Sequence, residues 1–307
     1  MGEIAPLGVQ VVRVPSGTVR EKVAAYRAEE CVAFAEPDYE AGALFIPNDP
    51  YFPSQWGLNN TGQTGGTEDA DLDAPEAWEY SSGSGVRVAV VDTGIDLSHE
   101  DLRDKIAVSA NFTNSRTADD GFGHGTHVAG IIGAVTNNGR GVAGTAPGCV
   151  LMNVKVLNDR GTGYYSWISR GIVWAADNGA RVINLSVGGA SPSDTLREAV
   201  EYAWAKGAVL VAAAGNNGTS DPVYPAYYEP CIAVAATDAS DAMAGFSSYG
   251  LWVDLAAPGV DIFSTLPDHR SRLRTQNYGF LSGTSMAAPF VSGTAALVWA
   301  TKYGTDG

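Results

Sequence analysis

His124 and His127 lie three residues apart in the stretch GHGTHVAG, residues 123–130, and make up half of the chain's four histidines. Imidazole titrates nearest to neutral pH and is also the commonest metal ligand, so this stretch could supply a general base or part of a metal centre. It lacks the glutamate of an HExxH zinc motif, and no cysteine lies close by. A hydrolytic base would instead need a nucleophile and an acid to orient it. Asp92 ends the apolar run VRVAVVD, Asn216 stands in AAAGNNG, and Ser285 stands in GTSMAAP. Taken singly, each has an ordinary structural reading: Asp92 or Ser285 as a helix cap, Asn216 as a turn residue. Taken together, an Asp, a His, an Asn and a Ser fall at the ends of elements, each among Gly and Ala that admit close backbone approach.

The elements that would gather these residues are legible from the patterning. VRVAVVD, VLMNVKVL, ARVINLSVG, AVLVAAAGN and CIAVAATD alternate with helical stretches such as YYSWISRGIVWAADNG and DTLREAVEYAWAKG. Continuous β-branched runs between amphipathic helices predict a buried, mostly parallel sheet covered on both faces, a three-layer α/β/α fold. Ligands of such sheets sit beyond the carboxyl ends of the strands, where Asp92 and Asn216 lie, so the chemistry is sought there. Residues 1–45 read as a separate α+β piece: strand GVQVVRV, helix TVREKVAAYRAEE, strand VAFAEPDY. PNDPYFPSQWGLNNTGQTGG, residues 47–66, reads as an ordered surface arm or linker. A short helix follows, with Asp73 expected as its N-cap.

Composition excludes several functions. With a formal charge of −15, the chain is a poor partner for nucleic acid, which needs clustered Lys and Arg. No run of 18 apolar residues predicts a membrane span. The opening MGEIAPLGVQVV lacks the basic-then-apolar pattern of a signal peptide. Cys31, Cys149 and Cys231 form no CxxC and are expected as buried free thiols.

VAVVDTGID, GHGTHVAG, AAAGNNG and GTSMAAP, in this order, resemble the subtilisin-like serine proteases, whose triad runs Asp…His…Ser. PNDPYF, VTNNGRGVAGTAP and YPAYY look most like the thermitase branch of that family, and residues 8–40 are similar to the later part of its inhibitory prodomain. The resemblance implies that Ser285 attacks a peptide carbonyl while His124 takes its proton, oriented by Asp92, through an acyl-enzyme intermediate. Asn216 and the Ser285 backbone N–H would hold the oxyanion. Extended substrate would add as a strand between Ser186-Val187-Gly188 and Gly161 to Gly163. Ala213, Ala214 and Gly215 would wall the primary pocket, with Val223 making it shallower, and Tyr165, Ile168 and Val187 would line a further apolar subsite. His127 is then a packed histidine supporting the helix.

The same resemblance implies calcium, held by the side chains of Asp49, Asp101 and Asn138 and the carbonyls of Val135, Arg140 and Val142. It also implies a secreted, monomeric, self-processing endopeptidase with broad specificity and a preference for apolar or aromatic side chains. Residues 1–45 would act as a partial, intramolecular inhibitor, cleaved off near residues 41–47. The catalytic domain, 46–307, is expected to be truncated at its C-terminus, which leaves a non-catalytic remnant as the alternative. The partners expected are polypeptides, with neither nucleic acid nor membrane among them.

Overall fold

A computed structural model describes residues 2–38 and 45–301, which fall into two units divided between residues 44 and 45. In the first unit, β1 (Gly2–Ile4) pairs antiparallel with β2 (Val9–Val11), and α1 (Val19–Arg27) follows. The hairpin closes through Gly8, whose φ of +62° few other residues adopt without cost. The partner of β2 is therefore the chain start rather than VAFAEPDY, whose described residues 32–38 form no strand. That segment contains Pro37, which has no N–H to donate, and it is tied down by Arg27 Nε donating to the Ala35 carbonyl at 2.7 Å. No residue of 2–38 is buried, and Cys31 is exposed, against expectation, while Cys149 and Cys231 are buried. The expected cleavage stretch falls largely on residues 39–44, outside the described residues.

The second unit begins with the arm at 47–66. It is not a surface arm: Phe52, Trp56 and Leu58 are buried, and Trp56 Nε1 donates to the Val260 carbonyl at 3.1 Å. Its apolar side chains need cover that water cannot give, and they find it in the core. In α2 (Ala74–Trp78), Asp73 stands at the N-cap position but makes no capping bond. It sits at φ +50°, where its own N–H donates to Asp71 Oδ1 at 2.6 Å.

Then β3 (Arg87–Asp92), β4 (Ile106–Asn111), α3 (His124–Gly133) and β5 (Val150–Lys155) follow in order. Next come α4 (Tyr165–Asp177), β6 (Val182–Leu185), α5 (Asp194–Ala205), β7 (Val209–Ala213) and β8 (Cys231–Thr237). The chain continues through β9 (Leu255–Pro258), the hairpin β10 (Ile262–Leu266) and β11 (Asn277–Leu281), and α6 (Thr284–Ala300). Seven strands form one parallel sheet in the order β4-β5-β3-β6-β7-β8-β9.

The side chains of β3 alternate between two cores. Val88 and Val90 pack with α3 and α6 on one face, and Ala89 and Val91 pack with α4 and α5 on the other. Two-sided burial is why the strand reads as a continuous apolar run, each valine contributing roughly 1.5–3 kcal/mol. Because the chain leaves β3 for β4 and β5 on one side and returns to β6 on the other, Asp92 stands where the winding reverses. Crevices open at such switch points.

Two helices converge on this end of the sheet. α3 lies against β10 so closely that a Cβ at Gly130 would sit 2.2 Å from Thr265 Oγ1. That approach lets Ser264 Oγ and Thr265 Oγ1 donate to the carbonyls of His127 and Thr126 at 2.8 and 2.7 Å. α6 packs along α3 and across β6, β7, β8 and β9.

Candidate active site

Asp92 is fully buried at the carboxyl end of β3. Its Oδ1 accepts from Thr93 N and from His124 Nδ1, both at 2.7 Å. A carboxylate can only accept, so the ring proton of neutral His124 sits on Nδ1 and the lone pair on Nε2. His124 is the first residue of α3 and its side chain is partly exposed. Burial lowers its affinity for a proton, but the charge of Asp92, the bond to it and the charge of Asp120 outweigh this and hold its pKa above the ordinary value.

Asp120 is a residue that motif reading missed. It is fully buried and accepts from five donors. Oδ1 takes Thr93 Oγ1 at 2.9 Å and the N–H groups of Phe122 and Gly123 at 3.0 and 2.8 Å. Oδ2 takes the N–H and hydroxyl of Thr126 at 2.9 and 2.7 Å. It thus supplies the acceptor that α3 lacks at its amino end, where Gly123 has no side chain to cap with. Thr93 completes the tie by accepting from Gly125 N at 2.9 Å. The only sequence signal was a charged pair, Asp119-Asp120, just before the glycine-flanked turn.

Ser285 is the second residue of α6. Pro289 cannot donate to the Ser285 carbonyl, and Ser186 Oγ donates to it instead at 2.8 Å. Ser186 Oγ in turn accepts from Asn184 Nδ2 at 2.9 Å, and Ser292 Oγ donates to Asn184 Oδ1 at 2.8 Å. The Ser285 hydroxyl points to the Ser186 carbonyl at 3.3 Å, and among the described residues it makes no hydrogen bond to His124. Asn216 Oδ1 accepts from the N–H and hydroxyl of Thr284 at 2.8 and 3.0 Å, which leaves its amide nitrogen to face the other way. Among the described residues, neither Asn216 Nδ2 nor the Ser285 N–H has an acceptor.

The expected substrate-binding residues divide. Gly161 lies under the Phe122 ring, where a Cβ would come within 2.5 Å of it, while Gly163 packs on the Val156 carbonyl. Val187 and Ile168 are buried in the second core, and Tyr165 packs against that core with its hydroxyl donating to the Ser191 carbonyl at 2.9 Å. Ala213 and Ala214 are buried beside Gly215. Val223 reaches between the two sides of the expected pocket: Cβ atoms at Gly188 and Gly215 would meet its methyls at 2.9 and 2.8 Å.

His127 is turned away from His124 and donates from Nε2 to the Gly279 carbonyl at 3.0 Å. Burial pushes its pKa down to about 3. Of the expected cation ligands, Asp49 accepts from Asn137 N and Asn138 N at 2.6 and 3.1 Å. Asp101 accepts from Val142 N and Tyr278 Oη at 3.0 and 3.1 Å. Asn138 departs from expectation: its oxygen is taken by Arg140 N, and its Nδ2 donates to Asp101 Oδ1 at 2.8 Å.

With this geometry in view, a model of the Subtilase family matches residues 83–305, and a model described as the Fervidolysin N-terminal prodomain matches residues 2–38. Thermitase of Thermoactinomyces vulgaris is 48% identical over 256 residues, 83% of this chain and 85% of that protein. A thermophilic serine proteinase of Bacillus sp. (strain AK1) is 46% identical, over 92% of this chain and 67% of that protein. Among solved structures, a protease of Pseudoalteromonas arctica superposes with a TM-score of 0.76 at 35% identity, covering 83% of this chain and 87% of that one.

The pKa values of the two histidines are displaced in opposite directions from the ordinary value. His127 takes up its proton only near pH 3 when folded but near 6.5 when unfolded, so its contribution to stability is present above about pH 6.5 and is lost as the pH falls below it. His124 has a raised folded pKa, so its contribution is present below about pH 6.5 and is lost as the pH rises through that folded value. NMR of the imidazole nitrogens should show His124 titrating above 6.5 and His127 remaining neutral at pH 5. A His127 transition near 6.5 would contradict the packing described.

Proposed function

Since the chain belongs to the subtilase family and is a serine endopeptidase, we propose that Asp92, His124 and Ser285 form its catalytic triad and that it makes an acyl-enzyme. The observation that carries this reading is the 2.7 Å bond from His124 Nδ1 to the buried Asp92 carboxylate. It leaves Nε2 unprotonated on neutral His124, as a general base requires. The Ser285 hydroxyl swings from the Ser186 carbonyl toward His124 as it attacks the peptide carbonyl. Its proton passes to Nε2 and then to the leaving amine; water repeats the sequence to release the acyl group. The developing oxyanion is met by Asn216 Nδ2 and the Ser285 N–H, both without acceptors among the described residues. Thr284 holds the amide in that orientation.

Polypeptide substrates bind extended along Ser186-Val187-Gly188 and Gly161 to Gly163. Apolar side chains enter the pocket walled by Ala213, Ala214 and Gly215. Val223 narrows that pocket, so the expected preference for aromatic side chains gives way to one for medium apolar side chains. Residues 1–45 act as an intramolecular inhibitor that the enzyme removes from itself, a reading supported by the prodomain match over residues 2–38. The processed enzyme works as a secreted monomer. No helix among the described residues is long and apolar enough to cross a membrane.

Calcium fits the donor set at Asp49 and Asp101. Both carboxylates are buried, and burial pushes the pKa of Asp101 up, a state that a bound cation relieves. No hydrogen-bond donor among the described residues reaches the carbonyls of Val135, Arg140 or Val142, whereas those of Gly141 and Ala143 are taken by Tyr51 N and Gln55 Nε2. Free hard oxygens of this kind suit calcium, with Asn138 able to join them by presenting its amide oxygen. Bound there, the ion supplies charge that ties residues 47–52 to the 135–142 loop, and no bond-making step runs through it.

A fluorophosphonate probe should label the native chain at Ser285 and should not label Ser285→Ala; labelling of that variant would refute the nucleophile. Asn216→Ala should lower kcat about 10²–10³-fold, the magnitude already known for the oxyanion-hole asparagine of subtilisin, a member of this family. Val223→Gly should raise kcat/KM for phenylalanine relative to alanine before the scissile bond, and an unchanged ratio would show that Val223 does not bound the pocket. EDTA should lower the melting temperature in calorimetry, and Asp49→Asn should abolish that sensitivity.

A further inference from the structure

In a chain of net charge −15, the described cationic side chains of the second unit divide into those that have a partner and those that do not. Arg103, Arg140, Lys155, Arg197 and Lys206 pair with carboxylates. Arg87 and Lys105 donate to backbone carbonyls, while Arg170 and Arg181 lie over aromatic rings. The others are Arg116, Arg160, Arg270, Arg272 and Arg274, all exposed, with no side-chain partner of these kinds among the described residues.

These five are not scattered. They occupy three loops grouped around residues 119–123, the segment that runs into His124. Arg116 is on the turn after β4, which reaches the 158–163 loop where Asp159 N donates to Ser115 Oγ at 3.2 Å. Arg160 is on that second loop, whose Gly161 lies under the Phe122 ring. Arg270, Arg272 and Arg274 are on the β10–β11 loop, where Arg272 N and Leu273 N donate to the carbonyls of Gly121 and Phe122 at 3.0 and 3.1 Å. In that loop Ser271 and Leu273 turn inward onto Gly123 and the arginines alternate outward. Arg270 and Arg274 line a surface depression of about 470 Å³ with Gln276.

The carboxylates of the same region are engaged by the fold. Asp120 caps α3, Asp159 pairs with the buried Lys155 at 2.9 Å, and Asp119 accepts from Leu97 N at 3.1 Å. Asp268 faces His269 Nδ1 at 3.4 Å. The rim therefore presents five guanidiniums without partners among the described residues, beside carboxylates that already have them, on a molecule whose overall charge repels anions.

We propose that Arg116, Arg160, Arg270, Arg272 and Arg274 form a rim subsite for acidic side chains of polypeptide substrates, outside the pocket that takes the residue before the scissile bond. Exposed guanidiniums bind carboxylates weakly one at a time but act together on encounter, an effect that salt removes. The proposal rests on the serine endopeptidase reading with Ser285 as nucleophile.

The test uses the full chain and two internally quenched peptides with one apolar core, flanked on both sides by Glu in one and by Gln in the other. At low ionic strength kcat/KM should favour the Glu peptide about 10-fold, mostly through KM, and the preference should vanish in 0.5 M NaCl. The variant R116Q/R160Q/R270Q/R272Q/R274Q should cleave the Gln peptide as the native chain does and show no preference. A native preference below twofold at low salt, or an equal preference in the variant, would overturn the rim subsite. Should the variant fail to fold, the salt series on the native chain still decides. Cleavage of neither peptide, or cleavage by Ser285→Ala, would overturn the underlying reading and the subsite with it.

Discussion

A carboxylate buried at the end of a central strand must be hydrogen-bonded, or it cannot remain charged there. Asp92 is such a group, and the donors available to it are the Thr93 N–H and the His124 ring. That requirement sets the ring's orientation and its tautomer together. It also makes the amino end of α3 part of the site, because the ring reaches Asp92 only while the first turn of the helix keeps its place. Asp120 secures that turn through backbone N–H groups and Thr126, and Thr93 links it to the residue beside Asp92. Two buried acids thus support one imidazole, one directly and the other through the helix that carries it.

The nucleophile's side of the site follows the same logic of groups left without partners. Pro289 deprives the Ser285 carbonyl of a helical donor, and Ser186 fills the gap from the end of β6. Because the Asn184, Ser186 and Ser292 network is buried, it positions the start of α6 against the sheet more sharply than apolar packing would. On the oxyanion side, Thr284 orients Asn216 by occupying its oxygen, so the free amide hydrogens point outward without further help.

Charge is distributed with a similar division of labour. Acids near the site are engaged by the fold: the buried Asp120 satisfies a helix end, and the more exposed Asp159 and Asp268 pair with a buried lysine and with His269. The arginines around them have no internal task and face solvent. The molecule can therefore be strongly acidic overall and still present cationic side chains around the approach to His124.

Much of this was readable in the sequence. Strand and helix runs, the three-layer class and the residues at strand ends follow from periodicity and from Gly and Ala spacing, because burial on two faces leaves a local imprint on each strand. The arm at 47–66 misled, since Pro and Gly content describes a chain's shape and not whether Trp56 finds a core. VAFAEPDY misled because local alternation does not by itself make a strand: residues 32–38 pair with no strand among the described residues, and Pro37 has no N–H to give to one. Asp120 left no motif of its own, and Thr284 and Ser186 stood in singled-out stretches without showing the supporting roles they take, as those roles are defined by N–H groups and carbonyls that other elements leave unpaired. The sequence by itself determined which residues could do chemistry and the class of scaffold that would carry them. Only the tertiary structure decided which proton each ring holds, which side chains wall the pocket and which charges face out, because those depend on partners remote in the chain and on what is left over once buried polar groups are satisfied.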